Sequence, residues 1–237
     1  MTARVAAGDF LRPGGLRLTE RALSFCSFSH GARILDVGCG NGSTVAYLIR
    51  HHRFEAVGVD PSPVLLRSGL RQKDRLPLVQ AMGEALPFPG RGWDGVIIEC
   101  SLSVAEDADR VLRECYRVLA MGGRLILTDV YLRAAFVGVA GQSLPTGWNI
   151  SGAMTREDLT GKLTHHGFRV EVWEDHSRVL KEFLAQLILA DSPMLQLWCP
   201  VGQGGGEVGG FRRPLETIIN AKPGYFLSVA QKSALEK

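Results

Sequence analysis

Five residues in one short stretch have the types and spacing that ligand chemistry needs: Asp36, Gly38, Gly40, Gly42 and Asp60. They lie in RILDVGCGNGSTVAYLIRHHRFEAVGVD, Arg33 to Asp60. Glycines at alternate positions allow both a sharp turn and the close approach of a ligand to bare backbone. An acid 20 residues past Gly40, at the end of a second apolar run, can accept hydrogen bonds from both hydroxyls of a ribose. Such charge-assisted bonds are worth roughly 1.5–3 kcal/mol each. A helix starting after the turn aims free N–H groups and a positive dipole end at a carboxylate or phosphate. The chemistry indicated is the binding of a nucleoside with an anionic group. Without a ligand, the same glycines would make an ordinary tight strand-to-helix link.

The elements that must position these residues follow from periodicity. Ile34, Leu35 and Val37 read as a strand, Val45, Ala46, Leu48 and Ile49 as a helix, and Ala56 to Val59 as a second strand, which together make a β-α-β unit. A dinucleotide pattern G-x-G-x-x-G needs glycine at positions 38, 40 and 43, but position 43 is Ser43, which disfavours a dinucleotide-dependent oxidoreductase. The string DVGCGNG resembles motif I of the class I S-adenosylmethionine (SAM) methyltransferases.

Later segments extend the resemblance. AMGEALPFP is similar to the family segment that lies along adenine, with Leu86, Pro87 and Phe88 in place, while Met82 stands where the family has an acid. A thioether can pack on a ring but accepts the amino hydrogens poorly. WDGVIIEC reads as a buried fourth strand emerging at Glu99, Cys100 and Ser101, EDADRVLRECYRVL as a helix ended by Met121 to Gly123, and RLILTDVY, Arg124 to Tyr131, as a fifth strand. The resemblance implies a doubly wound, Rossmann-like α/β fold: a seven-stranded, mostly parallel sheet, an antiparallel C-terminal strand and helices on both faces. It implies SAM as cofactor, held by Asp36, Gly38, Gly40, Gly42, Asp60, Pro61, Met82, Gly83, Glu84 and Glu99.

The remainder divides into residues 1–30, an N-terminal arm with a helix at about Thr19 to Phe28, and residues 31–237, the methyltransferase domain. In that domain, 132–153 and 191–222 are irregular acceptor-side or lid segments. By resemblance Arg12 to Leu16 form a mobile lid; otherwise they are a surface arm. A third strand is expected at Leu76 to Ala81, a helix at Thr155 to His166 with Thr155 as N-cap, a strand at Phe168 to Asp175, a helix at Ser177 to Ala190 and a last strand at Tyr225 to Gln231. The glycine-rich run 202–210 reads as a flexible loop.

Methyl transfer from a sulfonium requires no side-chain nucleophile, only an acceptor atom held in line, so the acceptor half is harder to read. Candidates there are Glu99, Cys100, Tyr131 and Trp148, then Ser101 and Asp129, with His30 a poorer one. The stretch from Ile97 to Tyr131 also resembles the arsenite and quinone-biosynthesis methyltransferase branches. Cys100 matches one metalloid-binding cysteine of the arsenite enzymes, but Asn149 stands at a second, and one thiolate is a poor trap for a trivalent ion. The expectation is therefore a small-molecule methyltransferase, with arsenite methylation or SAM binding without turnover as alternatives.

Composition bounds the partners. A formal charge of +3 over 237 residues is too small and scattered for nucleic-acid binding. No apolar run reaches membrane-spanning length. Five cysteines without a C-x-x-C pair, and six histidines without ligand spacing, predict free thiols, no metal and a cytoplasmic location. A homodimer is compatible with the apolar face of the 177–190 helix.

Overall fold

The computed structural model describes residues 12–70, 75–133, 152–190 and 222–233. Trp148, Asn149, Cys199 and the 202–210 run lie outside these, as does most of the two irregular segments. Along the chain run α1 (Gly15–Leu23), β1 (Arg33–Val37), α2 (Ser43–Tyr47), β2 (Glu55–Asp60), α3 (Pro63–Leu70), β3 (Leu78–Gln80) and β4 (Trp93–Glu99). They are followed by α4 (Ala108–Val118), β5 (Leu119–Leu132), α5 (Arg156–His165), β6 (Phe168–Asp175), α6 (Ser177–Leu189) and β7 (Pro223–Lys232). The strands form one seven-stranded sheet in the order β3-β2-β1-β4-β5-β7-β6. The β3-β2-β1-β4-β5 pairings are parallel, and β7 runs antiparallel between β5 and β6. This is the expected doubly wound sheet.

Side chains alternate across the pleat, so each strand feeds two cores. Ile34, Ile97, Ile126 and Leu227 pack with Leu18 and Ala22 of α1, Val45 of α2, Leu66 of α3 and Leu180 and Leu187 of α6. Leu35, Val96, Ile98, Leu125 and Phe226 pack on the other face with Val111, Leu112 and Cys115 of α4 and Leu159 and Leu163 of α5. Each such aliphatic side chain contributes about 1.5–3 kcal/mol by leaving water. Ligands of open α/β sheets bind at the carboxyl edge of the parallel strands, which here is where β1, β2 and β4 end.

Several boundaries differ from expectation. Helix α1 starts at Gly15 and ends at Leu23, because the buried residues that fix it are Leu18, Thr19, Ala22 and Leu23; Phe25 and Phe28 reach the core from the segment that follows. Helix α2 continues as a π-helical turn, Leu48–His52. The Met121–Gly123 segment does not end α4: Leu119 is already extended. Leu119 opposes Trp93 and Arg124 opposes Gly95, so residues 120–123 bulge out of the β4–β5 ladder. Thr155 caps α5 as predicted, its hydroxyl accepting from the Asp158 N–H. Among the described residues, no helix is long and apolar enough to cross a membrane.

Candidate functional site

The glycine turn after β1 sits at the centre of the carboxyl edge. Gly38, Gly40 and Gly42 all adopt positive φ, +78°, +57° and +78°. At Gly38 a Cβ would lie 2.4 Å from the Ser101 side chain, whose hydroxyl donates to the Val37 carbonyl at 2.8 Å. At Gly40 a Cβ would meet nothing within 4 Å, so this part of the turn presents its backbone to open space. Asp60, buried at the end of β2, reaches across: its Oδ2 accepts from the Gly40 N–H and its Oδ1 from the Ser62 N–H, each at 2.8 Å. A carboxylate has about four acceptor positions, so two remain for hydroxyls of a sugar. Asn41 completes the turn by accepting from the Ser43 hydroxyl at 2.7 Å.

Glu99 at the end of β4 is the other fixed point. Its Oε1 accepts from Thr19 of α1 at 2.8 Å, and its Oε2 from Thr44 of α2 at 3.0 Å. The Arg12 guanidinium lies 2.7 Å from the same Oε2 and donates to the Thr19 hydroxyl at 2.7 Å. Burial alone would lower the Arg12 pKa, and the combined negative field of Glu99, Tyr225, Cys100 and Asp36 more than reverses this. Asp36, on the neighbouring strand, has its pKa raised well above the ordinary carboxyl value by burial and then by Glu99. A single carboxylate thus ties the arm, the helix after the glycine turn and the β4 edge together. Arg12, Thr19 and Thr44 are not legible as its partners, because the hydroxyl contacts span 80 and 55 residues.

The 82–88 segment runs from the end of β1 to α4. Gly83 packs at the end of β1, where a Cβ would stand 3.1 Å from Val37. Met82 is 41% exposed and Pro61 is exposed. The Glu84 carboxylate accepts from the Glu106 and Asp107 N–H groups at 3.1 and 3.4 Å, so its side chain also braces the entry to α4. Glu114 and Arg117 of α4 fix the Leu-Pro-Phe stretch: Glu114 accepts from the Leu86 N–H, and Arg117 donates to the Leu86 and Phe88 carbonyls.

The structure separates the acceptor-side candidates. Cys100 has a positive φ of 55°, and its thiol lies 2.9 Å from the Tyr225 hydroxyl, which is itself 3.4 Å from the Thr128 Oγ1. Burial pushes the Cys100 thiol up, against the opposite pull of Tyr225 and Arg12. These groups share the α1 face. Asp129 and Tyr131 belong to the other face. Asp129 accepts from the Ser103 N–H at 2.9 Å, the Ser103 hydroxyl at 2.7 Å and the Val130 N–H at 2.8 Å, which makes it a brace for the turn after β4. Tyr131 donates to Asp175 at 2.9 Å and packs edge-on to Trp173. His30 is exposed and precedes β1, at the amino edge of the sheet. Tyr225, which brings β7 into contact with Cys100, has no local sequence signal because its partner is 125 residues away. No group of three or more His, Cys, Asp and Glu suited to a metal ion occurs among the described residues.

Residues 35–127 match the family model for a methyltransferase domain. The ubiquinone/menaquinone biosynthesis C-methyltransferase UbiE of Edwardsiella ictaluri (strain 93-146) is 34% identical over 142 residues, covering 56% of this chain and 56% of that protein. The chain spans about half the length of the curated relatives it matches. Among solved structures, the [4+2]-cyclase SpnF is similar with a TM-score of 0.71 and 27% identity, over 92% of this chain and 81% of the other. Phosphoethanolamine N-methyltransferase 2 of Haemonchus contortus, in complex with S-adenosyl-L-methionine, shares the fold with a TM-score of 0.72 and 20% identity, over 95% of this chain and 54% of the other.

Proposed function

We propose, from the premise that this chain belongs to the class I S-adenosylmethionine-dependent methyltransferases, that it transfers a methyl group from SAM to a small-molecule acceptor. The observation that carries the donor half is Asp60, whose carboxylate stands 2.8 Å from the Gly40 N–H at the open face of the glycine turn. The residues fit the donor: Asp60 keeps acceptor positions for the ribose hydroxyls, the Gly40 backbone leaves room for the tail, and Gly83 stands by Val37 at the end of β1 for the adenine. When bound, SAM supplies an electrophilic methyl group. The chain's part is to hold donor and acceptor in register and exclude water, where proximity supplies up to roughly 7–11 kcal/mol.

On the acceptor side, the half-buried Cys100 stands against the buried Tyr225 hydroxyl, which in turn meets Thr128, near the Arg12–Glu99 pair. A general base is needed only for an acceptor that must lose a proton. Arsenite is a poor fit, since the Cys100 thiol is held protonated by burial and paired with a phenol, whereas soft metalloids call for several thiolates.

A second reading is favoured by the likeness to a protein described as a [4+2]-cyclase: SAM binding on a scaffold whose reaction is not methyl transfer, since fold does not fix chemistry. Calorimetric titration with SAM and NAD, followed by incubation of labelled SAM with acceptor pools, tests both. Micromolar SAM binding, lost at least a hundredfold in Asp60→Ala, with label passing to an acceptor, is the expected result. Unchanged affinity in Asp60→Ala would discard the ribose assignment, and binding without label transfer from any pool would favour the second reading.

A further inference from the structure

Three carboxyls stand side by side where β2, β1 and β4 end. Ala56, Ile34 and Ile97 belong to one core, and alternation puts Asp60, Asp36 and Glu99 on that same face. All three are buried, and β1 pairs directly with both neighbours. Among the described residues, the cation facing them is Arg12, its side chain 10% exposed and its Nη2 2.7 Å from the Glu99 Oε2. The charged groups that act on Asp36 are Glu99 from β4, Arg12 from the arm and Asp60 from β2. Among the described residues one guanidinium faces these carboxyls; burial favours the protonated form of Asp36, so the negative charge of the edge rests on Glu99 and Asp60, part of the latter offset by the Gly40 and Ser62 N–H groups.

The donor of the proposed reaction and its demethylated product differ by one methyl and one unit of charge: SAM is a sulfonium, and S-adenosylhomocysteine (SAH) is a neutral thioether. Every other group is shared, so any preference for one over the other that changes with the site's charge is electrostatic. We propose that the Arg12–Glu99 pair sets how strongly this cleft prefers the sulfonium donor over its thioether product, with Arg12 as the specificity-determining residue that moderates an otherwise excessive negative field. The proposal rests on the reading of the cleft as a SAM site. It gives the buried pair a function beyond holding the arm: a cleft too negative would hold the donor tightly, and one too positive would favour the spent product and delay turnover.

The test is isothermal calorimetry of the full chain with SAM and with SAH at pH 8, on the parent and on Arg12→Gln, Glu99→Gln and Arg12→Lys. For charges about 10 Å apart at an effective dielectric near 20, one unit of charge is worth on the order of a tenfold change in affinity. The ratio of the SAH to the SAM dissociation constant is expected to rise about five- to tenfold in Arg12→Gln, to fall by a similar factor in Glu99→Gln, and to stay near the parent value in Arg12→Lys. Loosening of the arm would weaken both ligands together and leave the ratio unchanged, so the opposite signs separate charge from structure. If Glu99→Gln does not fold, Asp60→Asn removes a carboxylate of the same edge: it is expected to weaken both ligands through the ribose and to lower the ratio as well. Ratios within twofold of the parent in the charge-changing variants, or a shift in Arg12→Lys equal to that in Arg12→Gln, would overturn the proposal while leaving the SAM reading intact. A parent chain that binds neither ligand would instead overturn that reading.

Discussion

The proposed donor edge and the proposed acceptor edge of this sheet are built in different ways. At the donor edge, Asp36, the glycine turn and Asp60 lie within one β-α-β unit, and the decisive contact, from the Gly40 N–H to Asp60, spans 20 residues. At the acceptor edge, Cys100 meets Tyr225 across 125 residues and Tyr225 meets Thr128 across 97. A nucleoside with a fixed shape can be held by local backbone geometry, which imposes glycine and acid at set spacings. An acceptor is met by whichever side chains the tertiary fold delivers.

The contrast can be broken most forcefully at Gly38. Gly38→Ala would put a methyl 2.4 Å from the Ser101 side chain in a backbone region unfavourable to alanine. The expected outcome is a loss of about 3 kcal/mol or more of stability and at least a hundredfold weaker SAM binding, read by urea denaturation and calorimetry. Parent-like values in both would mean that the turn is not the constrained centre of the donor edge.

Asp129→Asn probes the brace on the opposite face. Burial pushes Asp129 up to about 6, against the pull of its bonds from Ser103. An acid that holds its proton more readily folded than unfolded makes the folded chain bind more protons between about pH 4 and pH 6. Its contribution therefore favours folding at the acid end of that window, declines as pH rises through it, and is level above. Denaturation of the parent across the window is expected to show this decline, of about 3 kcal/mol in full, and Asp129→Asn to lack it. The same variant should be less stable than the parent at pH 5 by about 1–3 kcal/mol, because an amide nitrogen cannot accept from the Ser103 N–H. A slope unchanged by the substitution would contradict the assignment.

Smaller effects sharpen the comparison. Thr44→Val removes one hydroxyl from Glu99 and is expected to cost about 1–2 kcal/mol of stability, with a weaker hold on SAM. Tyr225→Phe, on the acceptor side, is expected to cost about 1 kcal/mol and to leave the SAM dissociation constant within threefold while lowering label transfer. A Tyr225→Phe variant that lost SAM binding would erase the distinction between the two edges.

The same contrast explains what could be read from the chain. The sheet was legible because its strands are apolar runs closed by glycine turns and its helices carry apolar faces at regular spacing, so that β6 starts and ends where its alternation does. The α1 boundary was missed because Leu18 and Ala22, buried against distant strands, fix the helix more firmly than its own pattern does. The 120–123 segment looked like a helix stop but is a bulge, since only the pairing of Leu119 with Trp93 and Arg124 with Gly95 reveals it. Asp36, Asp60 and Glu99 lie at the carboxyl ends of neighbouring strands beside the glycine turn, as the order of the apolar runs implies; their hold on a donor is the proposal. Asp129 and Tyr131, near Cys100 in rank as candidates, fall on the opposite face because strand alternation sends them there.

The central claim is that Asp60 and the glycine turn together hold the adenosine of the donor. The most direct measurement is a crystal structure of the full chain grown with SAH. The account predicts ribose hydroxyls within hydrogen-bond distance of the Asp60 carboxylate and the amino-acid tail over Gly40. Clear density for the nucleoside elsewhere, or a crevice left empty at saturating SAH, would contradict it.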